Sequence, residues 1–199
     1  MLNKFINLFT LKNERDPDEL GRLLYQVVQM GLSDKRLSAE SLLDKLGLKE
    51  DDVVVQYQAE IIMALMFQVI LVVERKYEYP LAGDILDGMT KEFISHLKEM
   101  GGSDEDLISA FALFQQRVKE YYEAESNTTG NGPAYWVGKN FYENLIGKQY
   151  LKNINGKDPD LMQVYIDMNL KFSIAVNYLT STLVGVDSIV KKYPAKKTK

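Results

Sequence analysis

The side chains able to do chemistry in this chain are few, because it has no cysteine and a single histidine. The absence of thiols removes disulfides, thiolate nucleophiles, Cys-ligated zinc and iron–sulfur clusters together. His96 stands four residues after Glu92 and three before Glu99, which on a helix sets both carboxylates beside the imidazole. A metal centre needs ligands from a second helix, and the paired Glu-x-x-His motifs of di-iron bundles do not occur. A surface charge pair is therefore the expectation for His96.

Glu60 is the more interesting carboxylate. It sits among Ile61, Ile62, Met63 and Leu65, where loss of water raises the cost of its charge. At about 100° per residue, Gln56, Glu60, Gln68 and Arg75 share one third of a helix circumference, with Ala64 and Leu71 in the same band. Two readings follow for that stripe: a face turned to water, or a buried polar network that orients a ligand, since buried polar groups must be paired.

Other constellations fail on spacing. Gly138-Lys139 imitates the end of a phosphate loop, but five residues separate Gly132 from Gly138 where four are required, and Asn140 replaces the hydroxyl residue. Asn127-Thr128-Thr129 is a glycosylation acceptor only in a secreted protein. The turn around Gly47 leads into Asp51 and Asp52 and then an apolar run, unsuited to a DNA groove. A net charge of −4 also argues against nucleic acid. With no nucleophile–base pair, metal cluster or phosphate loop, the residues point away from an enzyme and call for no cofactor.

The elements that must carry these residues are helices. Asp16-Pro17-Asp18-Glu19 reads as an N-cap, a proline at the first helical position and first-turn carboxylates, opening a helix that Gly31-Leu32 stops after Met30. Ser38 starts a short helix ended by Gly47-Leu48, and Asp51 or Asp52 opens a long apolar one reaching Tyr77. Pro80 begins another, closed by Gly101-Gly102, and Ser103 with Asp106 makes a capping-box start for a helix ending near Glu125. Pro133 begins the next, and Asp158-Pro159-Asp160 opens a last helix to about Val190. The fold class expected is all-α: one bundle domain over residues 16–190, seven to eight helices, with two long central ones at about 51–77 and 160–190. Between Asp52 and Glu74 the apolar helix has the length to span a membrane, but Gln56, Gln58, Glu60 and Gln68 favour a buried central helix.

Along the last helix Leu161, Tyr165, Met168, Phe172, Ala175, Leu179, Thr182, Val186 and Ile189 alternate in steps of four and three, a heptad seam. Val176, Leu183 and Val190 form a second apolar row, which places the helix centrally or against another subunit. Asn169, Ser173, Asn177 and Thr180 line up beside it, suited to internal hydrogen bonds.

Three features bear on partners. Trp136 projects away from Ala134, Val137, Gly138, Phe141 and Leu145, toward Lys139, Asn140 and Glu143, as a contact residue does, unless helix-start geometry folds the indole back. Residues 1–12 are expected to form an amphipathic helix with Phe5 and Phe9 on its apolar side, suited to docking on the fold, a partner or a membrane interface. Residues 191–199, carrying Lys191, Lys192, Lys196, Lys197 and Lys199, are expected to form a basic disordered tail. The N-terminal apolar residues lack the cleavage site of a secretory leader, so the cytoplasm is expected. The functional expectation is a non-catalytic helical interaction or assembly protein, a homodimer or partner-bound, acting through protein–protein contacts. The alternatives are a binder of an apolar small molecule in a bundle pocket and a peripheral membrane-associated protein.

Overall fold

The computed structural model describes residues 16–38, 41, 43, 57–129, 131–147 and 161–185. Every regular element among them is helical, with no strand. Among the described residues there are six α-helices, against seven to eight expected for the whole chain: α1 Pro17–Leu32, α2 Tyr57–Lys76, α3 Leu81–Glu99, α4 Asp104–Glu125, α5 Pro133–Ile146 and α6 Leu161–Gly185, with a 3-10 turn at Lys35–Leu37. The expected helix at residues 1–12 and the basic tail lie outside the described residues, and of the expected helix at 38–47 only Ser38, Ser41 and Leu43 are described, the last two as helical.

Local chemistry sets most of the ends. Asp16 caps α1 by accepting the Asp18 N–H at 2.9 Å, with Pro17 in the first turn where no N–H is needed. Ser103 and Asp106 form the reciprocal capping box of α4. After α3, Gly101 takes φ +90°, a left-handed conformation open to glycine, and Gly102 N–H returns to the Leu97 carbonyl at 3.1 Å.

The α1 end departs from expectation. The helix runs through Gly31 to Leu32, and Ser33 caps it. Gly31 is a packing residue and not a stop: a Cβ there would lie 3.0 Å from Val176 Cγ1 and 3.1 Å from Leu65 Cδ1.

Helix α2 contacts each of the other five described helices. Met66, Phe67 and Val69 near its middle are fully buried, so the helix has dry neighbours on several sides. By length and composition α2 is apolar enough to cross a membrane, and 61% of its most apolar window is buried inside the fold. A close junction joins α1 to α3, where a Cβ on Gly21 would fall 2.2 Å from the Ile85 carbonyl oxygen and one on Gly88 would fall 2.8 Å from Asp18 Cα. Gly138 similarly lets α5 lie against α6, because a Cβ there would meet the Tyr165 carbonyl oxygen at 1.9 Å.

On α6 the seam follows the heptad through Leu161, Tyr165, Met168 and Phe172, then moves to Val176, Thr180 and Val184. Ala175 and Leu179 are only partly buried. A straight helix drifts against a seven-residue repeat, and steps of four carry the buried line across its surface. Val176 and Leu183, the second row, are buried within this same chain.

Candidate functional site

Helix α2 divides its polar residues among different neighbours. Glu60 is wholly buried and meets Arg117 of α4: Arg117 Nε donates to both carboxylate oxygens at 3.0 and 2.9 Å, and Nη2 donates to Oε1 at 2.8 Å. Arg117 Nη1 also donates to Glu120 at 3.1 Å, and Asn144 of α5 donates to the same Glu120 carboxylate at 2.9 Å. Asn140 Nδ2 reaches the Glu120 backbone carbonyl at 3.0 Å. One guanidinium thus ties together α2 and α4, and the amides of α5 complete the cluster.

The electrostatics favour the charged forms. Burial lowers the proton affinity of Arg117, but the hydrogen bonds and charge of Glu60 outweigh it and leave the guanidinium above its usual range. Burial pushes the Glu120 carboxyl up, while hydrogen bonds from Gln116 and Asn144 and the Arg117 charge hold it below the ordinary value. Tyr121 beside them is raised by burial first and by the Glu60 charge second.

Gln68 belongs to a different network. Its amide donates to Asn169 at 3.0 Å and accepts from the Ser173 hydroxyl at 2.9 Å, both on α6. The polar row on α6 is therefore paired in its first half. Asn177 Oδ1 and Thr180 Oγ1 are buried without a hydrogen-bond partner among the described residues. Arg75 reaches Glu125 at 3.2 Å in an exposed pair. Glu60, Gln68 and Arg75 thus face three different partners, and Gln56 lies outside the described residues. His96 accepts or donates through Nδ1 to the buried Tyr25 hydroxyl at 2.9 Å, so the expected surface pair with Glu92 and Glu99 is replaced by a bond between α1 and α3.

Two hollows flank the contact between Phe93 and Phe114, whose ring centroids are 5.9 Å apart. One, of about 330 Å³, is walled by Ile62 and Met63 of α2, Phe93 and Leu97 of α3, and Ala110 and Leu113 of α4, with Ala59 and Glu60 completing it. The other, of about 470 Å³, is more open and has Asp87, Lys119 and Glu123 among its lining residues. Among the described residues no group of three or more His, Asp or Glu is placed to hold a metal ion.

Trp136 is half-buried. Its indole N–H donates to the Thr129 carbonyl at 3.1 Å, Tyr135 meets it edge-on, and Lys139 Nζ lies 5.1 Å over the ring. Phe5 and Phe9 lie outside the described residues. The largest exposed apolar side chains on one line belong instead to α6: Leu170 is 53% exposed, Ile174 48% and Tyr178 79%. In the sequence this line is masked by the more regular apolar seam on the same helix. Arg117 is absent from the sequence expectations, although Leu107, Ala110, Phe114, Arg117, Tyr121 and Ala124 recur at helical spacing and mark Arg117 as a charge in an apolar row.

Comparison of the chain with family models, curated proteins and solved structures found no match.

Proposed function

We propose that this is a non-catalytic assembly protein that pairs with a second copy of itself through the outer face of α6. The observation carrying this reading is the line Leu170, Ile174 and Tyr178, spaced four apart and exposed on a helix whose other face is buried in its own core. Water contact with such a line is costly, and a row of large apolar side chains marks contact surfaces. The line has Ile174 at its centre. Two antiparallel copies related by a two-fold axis there set Leu170 against Tyr178 of the other copy and Ile174 against itself, as an isologous contact requires. Charge does not oppose this, because Asp167 and Lys171 are the only charged residues of α6. The wider picture is a single helical bundle of the cytoplasm centred on α2, with α6 as its assembly helix.

Sedimentation velocity tests the reading on the full chain. The unaltered protein is expected to sediment as a dimer and Ile174→Lys as a monomer of unchanged helicity. A monomer at all concentrations for the unaltered chain, or a dimer that survives Ile174→Lys and Leu170→Lys together, overturns it.

A further inference from the structure

We infer that the hollow beside Glu60 is a binding site for an apolar small molecule whose head group is cationic or neutral, not anionic. Three observations carry this. The volume of about 330 Å³ falls at the lower end of the range for small-ligand pockets. Its walls come from three helices and are apolar at every side chain except Glu60, so the body of the occupant is alkyl or a single ring. Phe93, one of its walls, packs against Phe114 at 5.9 Å between ring centroids, which fixes that wall in place.

The head-group preference comes from charge. Glu60 has a side chain only 1% exposed, so it acts on an occupant through its field and not by direct contact. Glu60 lines the hollow and its partner Arg117 does not, so the ion pair turns its negative end toward an occupant. Low-dielectric apolar walls screen that field poorly. A carboxylate or phosphate head is repelled, and an ammonium or hydroxyl head is accepted.

Octylamine, octanol and octanoate share a tail and differ in head, and calorimetric titration of the full chain with each separates the outcomes. Octylamine and octanol are expected to bind, with octanoate weaker by about tenfold or more. The labelled methyl of Met63 is expected to shift in nuclear magnetic resonance spectra as octylamine is added. Ala110→Phe, which fills the hollow from a partly exposed position, is expected to abolish binding while keeping the helical spectrum. Should that variant misfold, the Met63 methyl in the unaltered chain still reports the site. Octanoate binding as tightly as octylamine overturns the head-group inference. Absence of binding by all three, an unmoved Met63 methyl, or full binding by folded Ala110→Phe overturns the site.

Discussion

Arg117 and Glu60 form a two-point ion pair in the interior, the guanidinium Nε and Nη2 both within 3.0 Å of the carboxylate of a residue with no exposed surface. Such a pair gives up hydration on both sides, and its attraction roughly offsets that loss when the geometry is this good. Its effect is best seen when one partner is removed.

Arg117→Met alone is expected to lower unfolding free energy by about 3–5 kcal/mol, since it leaves Glu60 buried without its counter-charge, and Glu60→Gln by less, since Glu120 still accepts from Arg117. The double variant Glu60→Leu with Arg117→Met is expected to recover most of that loss, because Gln116 and Asn144 still hold Glu120. Urea titration of all three against the unaltered chain checks this. Equal loss in the double variant and the sum of the singles means that the pair is not coupled.

Alkali is expected to unfold the protein cooperatively. Burial raises the hydroxyls of Tyr25, Tyr121, Tyr122 and Tyr142 well above the ordinary tyrosine range. A raised folded value stabilises fully below the unfolded pKa of about 10 and is lost as pH climbs above it, because only the unfolded chain then releases the proton. Tyrosinate absorbance is expected to rise in two stages: exposed tyrosines first, then the buried set in step with loss of helical circular dichroism. A single smooth titration with the helices intact contradicts this.

Two glycine replacements separate close packing from helix propensity. Gly138→Ala drives a methyl into the Tyr165 carbonyl, 1.9 Å away, and is expected to cost about 1–3 kcal/mol as α5 and α6 are pushed apart. Gly185→Ala meets nothing within 4 Å and is expected to be neutral or slightly stabilising. Thermal melts of the two variants report the difference, and equal melting points contradict it.

The local signals were legible and the tertiary ones were not. Asp16-Pro17 and Ser103–Asp106 announce helix starts because the cap bonds are made within a few residues. Gly31 imitates a stop signal, yet what fixes it is the approach of Val176 and Leu65 from helices distant in sequence. On a helical projection the polar residues of α2 form one stripe in an apolar helix. Glu60 and Gln68 nonetheless part company, because α4 meets one part of α2 and α6 another. A single helical projection holds no information about which neighbour covers which part. The buried seam of α6 leaves the heptad between Phe172 and Val184 for a related reason: apolar residues at 175–176 and 183–184 permit two seams, and packing against α2 and α1 selects one, while Val186 and Ile189 lie outside the described residues.

Because the chain has no cysteine of its own, one introduced thiol reads the proposed two-fold axis directly. Ile174→Cys, oxidised in dilute solution, is expected to form a disulfide-linked dimer, since the axis brings residue 174 of the two copies together. Ser95→Cys, exposed on α3, is expected to remain monomeric under the same conditions. Failure of Ile174→Cys to cross-link, or equal cross-linking of Ser95→Cys, contradicts assembly through the outer face of α6.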